Sequence, residues 1–188
     1  MPPHSKLWLI RHAPVAGPPG VIHDIEAAAD VGDIPALQRL RLLLPNPHLA
    51  ISSPARRTRE TAAALGLVAG QDPAFSEQDF GRWTGLTHEQ IRRSSGSAYD
   101  AFWRAPADNR PPEGESFRQQ IARVALGIQA LPEGDIVLVV HAGTIRAALA
   151  LALGLPPDNA LRFVIDPLSL TRVDRIGQAW RVVAVNRR

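Results

Sequence analysis

Residues 135–143 read Asp-Ile-Val-Leu-Val-Val-His-Ala-Gly, DIVLVVHAG. Five apolar residues, Ile136 to Val140, stand in a row, mostly β-branched and without a charge. A run this short and this apolar reads as a strand buried on both faces, as in a parallel sheet. It stops at His141 and a turn, Ala142-Gly143. Residues 144–153 then read as an apolar helix ending at Gly154.

The same pattern recurs upstream. Lys6–Ile10 is a short apolar run that ends in Arg11-His12, followed by a Pro- and Gly-rich loop over 13–22. Ile34–Leu44 has helical apolar spacing and stops at Pro45-Asn46-Pro47. Leu49–Ser52 reads as a strand that runs into a helix starting at Ser53-Pro54 and continuing through Leu65. Pro73–Glu77 reads as a strand edge. Thr87 and Gln90 form a possible capping box, and Ser116–Leu131 is an amphipathic helix. Residues 94–116 form an excursion rich in Gly, Pro, Ser and charge, a candidate lid. Leu161–Ile165, Ser169–Val173 and Trp180–Val185 are expected as further strands. Strand–helix alternation predicts an α/β fold, a three-layer α/β/α sandwich with a mostly parallel central sheet. A length of 188 residues suits a single domain spanning 1–188.

Composition removes several classes of function. There is no cysteine, so disulfides, thiolate metal sites and cysteine nucleophiles are excluded. No stretch approaches about 18 apolar residues, so no membrane span is expected. The opening MPPHSKLWLIRHAP lacks the charged–apolar–small order of a secretory leader, and a cytoplasmic location is expected. The sequence pI is about 10.4, yet net charge is only +3 and Lys6 is the single lysine. Scattered arginines and 5% aromatics do not make a nucleic-acid footprint, so no nucleic-acid partner is expected.

In open α/β sheets, ligands bind at the carboxyl ends of strands. Two such ends here carry His12 and His141. Arg11 precedes the first, Arg57 lies just past a third strand, and Glu77 stands beside a glycine turn. A lone strand-end histidine is more often a hydrogen-bonded core residue, and Arg57 alone could be a solvated helix arginine. Together the five groups suit one chemistry. Guanidinium forks match phosphate oxygens and stay charged. A neutral imidazole can attack phosphorus. A carboxyl group can protonate the leaving oxygen. No acidic cluster offers to hold Mg²⁺, so the arginines and the second histidine would carry the transition-state charge. His12, His23 and His141 lack the spacing or paired carboxylates of a metal site; no metal and no cofactor are expected.

These residues resemble the histidine phosphatase, or phosphoglycerate mutase-like, superfamily. LWLIRHAPV resembles its first motif and SSPARRTRETA its second arginine motif. SEQDFGRWTGLT resembles the segment carrying its acid and VLVVHAGTIRAAL its second-histidine motif; Gly114-Glu115-Ser116 matches a further element. The matches run in family order from residue 7 to residue 149. The resemblance implies that His12 is phosphorylated and that Arg11, Arg57 and His141 hold phosphoryl oxygens, helped by backbone N–H of Ala142 or Gly143. It implies that Glu77 is proton donor and then base. The substrate is expected to be a small phosphorylated metabolite. RHAPV and the short length look like the α-ribazole phosphatase branch. Ala13 in place of glycine, with Pro14-Val15, counts against the alternative of a phosphoglycerate mutase. A non-enzymatic phospho-ligand scaffold would have lost one of these groups, and none is lost. The oligomeric state is left open.

Overall fold

A computed structural model describes residues 4–188; residues 1–3, part of the stretch read for a leader, lie outside it. Six strands form one sheet. They are β1 (His4–Arg11), β2 (Leu49–Ser52), β3 (Gly70–Gln71), β4 (Gly134–Val140), β5 (Leu170–Ile176) and β6 (Ala179–Arg187). Their spatial order is β3-β2-β4-β1-β5-β6. The first three neighbouring pairs are parallel and the two involving β5 are antiparallel. Six helices accompany them: α1 (Ile34–Leu43), α2 (Arg56–Ala64), α3 (His88–Arg104), α4 (Phe117–Ala130), α5 (Ala142–Leu153) and α6 (Pro157–Ala160).

Side-chain alternation along β4 builds the three layers. Ile136, Leu138 and Val140 join Phe117, Ile128 and Leu149 of α4 and α5 in one core. Val137 and Val139 face the other way and join Leu37, Leu40 and Ala62 of α1 and α2. Burial on both faces is what a parallel strand requires, and it explains the uninterrupted apolar run. A third, smaller cluster of Trp83, Ile91, Tyr99 and Phe102 stands apart from both. It is tied to the loop after β1 by Ile22 N–H to Leu86 O (3.0 Å) and Gly85 N–H to Ile22 O (2.7 Å).

Four sequence expectations need correction. The helix expected from Ser53-Pro54 starts at Arg56, because the Ser53 hydroxyl takes the Ala55 N–H and holds 53–55 in a turn. Pro73–Glu77 is not a strand edge. Pro73–Phe75 is a 3-10 turn, capped by the Asp72 side chain on Ala74 N–H at 2.8 Å. Residues 94–104 belong to α3, which kinks at Ser95, and only 105–116 are irregular. Leu161–Ile165 makes no ladder; it is an irregular segment whose carbonyls go to arginine side chains. The expected capping box of Thr87 with Gln90 is present, and a second one, Ser116 with Gln119, opens α4.

One close approach sets the height of the turn that leads to Glu77. Gly127, inside α4, lies under Ala74 and Phe75. A Cβ at this position would stand 2.7 Å from the Ala74 Cβ and 3.2 Å from the Phe75 ring. Gly127→Ala gains up to about 1 kcal/mol of helix propensity and loses about 1–3 kcal/mol to overpacking. The neighbouring Cβ cannot rotate away, so overpacking wins. Denaturant unfolding should show a net loss of about 1–2 kcal/mol; a more stable variant would mean that the turn yields freely.

Candidate active site

The parallel register aligns Arg11 with Val140, and His12 N–H continues the ladder to Val140 O at 3.0 Å. His12 and His141 therefore leave adjacent strand ends together. Their ring centroids are 5.1 Å apart and nearly edge-on. Both imidazoles are buried. The His12 Nδ1 lies 2.6 Å from the Ala13 carbonyl. A carbonyl only accepts, so Nδ1 carries the hydrogen and Nε2 carries the lone pair. Ala13 is itself pinned, its N–H donating to Thr61 Oγ1 at 3.0 Å. The change from glycine at 13 thus leaves the ring-orienting carbonyl in place.

His141 is the N-cap of α5, one position before the helix begins. Its Nε2 meets the Ser53 hydroxyl at 2.7 Å, and Ser53 meets Thr58 Oγ1 at 2.9 Å. Its Nδ1 is buried without a protein partner. Burial pushes the His12 imidazole down to about 3, with His141, Arg57 and Arg11 adding to that and the Ala13 carbonyl opposing it. Burial, then the charges of Arg57, Arg11 and Arg123, hold His141 well below the usual histidine range.

Glu77 approaches from the other side of the cleft. Its turn is gripped from two helices. Arg123 donates to Pro73 O, Ala74 O, Ser76 O and Glu77 O at 3.0–3.3 Å. Thr144 Oγ1 lies 3.1 Å from the Phe75 and Ser76 carbonyls. Gln120, fully buried, donates from Nε2 to Ser76 O and to Glu77 Oε1 at 3.3 and 3.2 Å. The carboxylate rests over the start of α5: a Cβ on Gly143 would stand 2.2 Å from Glu77 Oε1. Only glycine leaves that room. Glu115 of the Gly-Glu-Ser element pairs with Arg123 and accepts from Asp79 N–H at 3.2 Å. Ser116 caps α4.

Three guanidinium groups line the cleft, each anchored by a carbonyl. Arg11 donates to Ile165 O (2.5 Å), Arg57 to Asp24 O (2.7 Å) and Arg146 to Phe163 O (2.9 Å). Burial lowers the pKa of all three, and the Glu77 carboxylate opposes it in each case. Guanidinium stays protonated regardless. The cleft has a volume of about 830 Å³, and Phe80, His88 and Trp103 contribute to its wall. Among the described residues, no cluster of three or more His, Asp or Glu side chains is arranged to hold a metal.

Arg11, His12, Arg57, Glu77 and His141 therefore meet in one cleft. Of the candidate lid residues, only Trp103 lines it; Tyr99 and Phe102 pack in the third cluster, and Arg104 and Arg110 lie away from it. Sequence reading missed Arg146, Ser53, Gln120 and Arg123. Arg146 stood five residues after His141, the one helical position there with a charge.

The sequence profile of the Histidine phosphatase superfamily (branch 1) matches residues 35–188. The chain belongs to the histidine phosphatase superfamily. It is an enzyme, a phosphatase of the histidine type. Over 179 residues it is 31% identical to a glucosyl-3-phosphoglycerate phosphatase of Mycolicibacterium vanbaalenii, covering 82% of this chain and 76% of that protein. The solved mycobacterial glucosyl-3-phosphoglycerate phosphatase superposes with a TM-score of 0.81 at 27% identity, over 98% of this chain and 100% of that one. The α-ribazole phosphatase from Shigella flexneri shares the fold, with a TM-score of 0.86 at 23% identity over 96% of each chain. The profile begins beyond Arg11 and His12, which join the site through the β1–β4 register. Among the described residues, no helix of this histidine phosphatase is long and apolar enough to cross a membrane.

Two buried neutral histidines make the fold acid-sensitive. The unfolded chain protonates His12 near pH 6.5, the folded chain only near 3. The unfolded state therefore binds more protons between these values. The His12 contribution to stability is complete above pH 6.5 and is lost as pH falls toward 3. From pH 7 to 5 the loss from His12 is about 2 kcal/mol. Urea unfolding in phosphate-free buffer should show a smaller loss over this range in His12→Asn than in the native chain. An identical pH slope in the two would show that His12 is not held neutral.

Proposed function

We propose that this histidine phosphatase is a metal-independent phosphomonoesterase that cleaves a small phosphorylated metabolite through a phosphohistidine on His12. The observation that carries this reading is the His12 imidazole itself. The Ala13 carbonyl fixes its hydrogen on Nδ1 and leaves the Nε2 lone pair in a cleft lined by three guanidinium groups.

In this reading, Arg11 and Arg57 bind the phosphoryl oxygens, joined by the backbone N–H groups of Ala142 and Gly143 at the start of α5. His141 donates from Nδ1 to a third oxygen, and the Ser53 hydroxyl donates to its Nε2. His12 Nε2 attacks phosphorus in line with the ester oxygen. The P–O bond to the alcohol breaks, and Glu77 gives that oxygen its proton. Water then attacks the phosphohistidine, Glu77 takes its proton, the P–N bond breaks, and inorganic phosphate leaves. The arginines carry the charge that a metal would otherwise carry. A cleft of about 830 Å³ leaves room for an alcohol well beyond the phosphate. α-Ribazole 5′-phosphate and glucosyl-3-phosphoglycerate are the first two compounds to assay.

Glu77→Gln separates acid catalysis from phosphate binding. An alkyl phosphate needs its leaving oxygen protonated, and a general acid contributes about 10²–10⁴-fold. p-Nitrophenyl phosphate releases a phenolate that is already stable. The variant should lose about 10²–10⁴-fold in kcat on the alkyl ester and far less on the aryl ester. Equal losses on both would make Glu77 structural and pass the role to another carboxylate, Asp79 first.

A further inference from the structure

Gln120 puts an amide where its helix otherwise buries apolar groups. It lies on the inner face of α4, in line with Phe117, Val124, Gly127 and Ile128, and is itself fully buried. A buried amide is costly unless both ends are bonded. Yet Gln120 Oε1 has no partner among the described residues. Only Nε2 is used, on Ser76 O and Glu77 Oε1. Turned end for end, the amide would set its oxygen against a carbonyl and a carboxylate, both acceptors, so the partners decide which end is nitrogen. The first turn of α5 closes over it as well: a Cβ on Gly143 would stand 2.8 Å from Gln120 Oε1 and 3.0 Å from Nε2.

The two bonds differ in weight. Ser76 O already accepts from Arg123 at 3.2 Å and from Thr144 at 3.1 Å, so the turn is anchored without Gln120. The bond to Glu77 is the only side-chain hydrogen bond that this carboxylate receives among the described residues. It also falls on one oxygen alone. Oε1 accepts from Gln120 Nε2 at 3.2 Å and from the Gln78 N–H at 3.1 Å, whereas Oε2 receives no hydrogen bond among the described residues.

We propose that Gln120 is a positioning residue for Glu77: it reserves Oε1 as an acceptor and so places the acid's hydrogen on Oε2, the oxygen left free for the leaving group. The proposal deepens the reading of Glu77 as proton donor and rests on it. A carboxylic acid accepts more strongly through its carbonyl oxygen than through its hydroxyl oxygen. Two N–H donors on Oε1 make that oxygen the carbonyl one, and the hydroxyl is then Oε2. The terminal torsion of a glutamate is broad and two-fold, so nothing intrinsic keeps one oxygen forward. As the P–O bond breaks, the Oε2 hydrogen passes to the ester oxygen. As water attacks the phosphohistidine and the P–N bond breaks, Oε2 takes the hydrogen back. Without the amide donor, the fraction of Glu77 poised to donate falls.

The test uses Gln120→Met, which keeps the length and the burial and removes the donor. It reads kcat/KM, which reports the steps through release of the alcohol, on phenyl phosphate and on p-nitrophenyl phosphate. Phenolate is the more basic leaving group and needs the proton more. Gln120→Met should lower kcat/KM on phenyl phosphate by about 10-fold, the worth of one hydrogen bond, and on p-nitrophenyl phosphate far less. In the Glu77→Gln background the same change should leave the ratio of the two esters where it is, because the acid is already gone. A misfolded fraction lowers both rates alike and leaves their ratio intact. Equal losses on both esters in Gln120→Met would make Gln120 a packing residue and overturn the proposal. So would a change of ratio that recurs undiminished in the Glu77→Gln background. No change of ratio in Glu77→Gln itself would overturn the reading of Glu77 as the acid, and the proposal with it. A native enzyme inert toward both esters would overturn the phosphatase reading as well.

Discussion

Pairing of β1 with β4 governs the active site, because a one-residue slip would send every side chain to the opposite face. With Arg11 opposite Val140, the two strands release His12 and His141 side by side, with ring centroids 5.1 Å apart. The apolar runs that hold this register are the same residues that build both cores. Leu7 and Leu9 lie with Leu138 on one face, and Ile10 with Val139 on the other. Packing and the geometry of the candidate site are therefore one constraint. A slip that exposed Leu138 would also separate the imidazoles.

Around that pair, the chain concentrates positive charge without neutralising it. Elsewhere several of its arginines pair with acids, as Arg56 does with Glu60 and Arg172 with Asp174. In the cleft they are held by the carbonyls of Asp24, Phe163 and Ile165 instead. A carbonyl orients the fork and leaves the charge for a ligand. The cost of three partly buried cations is offset in part by Glu77, whose carboxylate acts on all of them. The same field, added to burial, keeps both histidines neutral, which the proposed attack by His12 requires.

Much of this was legible in the sequence because it depends on local signals. DIVLVV followed by His-Ala-Gly announces a buried strand and its polar end, and the LWLI-Arg-His run announces its partner. Arg57 and Glu77 were legible through motif context. What was not legible depends on which carbonyl meets which guanidinium across the fold. Leu161–Ile165 has the composition of a strand, and Ile165 is indeed buried. Yet its carbonyls at 163 and 165 serve Arg146 and Arg11, more than 15 residues away in sequence. Arg123 and Gln120 look like ordinary polar positions on an amphipathic helix, and only the turn packed over Gly127 gives them their work. The Asp72-Pro73 cap was the one local signal that could have replaced the strand expected at 73–77.

Trapping the covalent intermediate tests the central claim most directly. Alkaline quench of the enzyme turning over an aryl phosphate, followed by peptide mapping and ³¹P NMR, would locate the phosphoryl group to a single ring nitrogen. The geometry predicts an acid-labile adduct on Nε2 of His12, since Nδ1 is committed to the Ala13 carbonyl. An adduct on His141, or on Nδ1 of His12, would contradict the account.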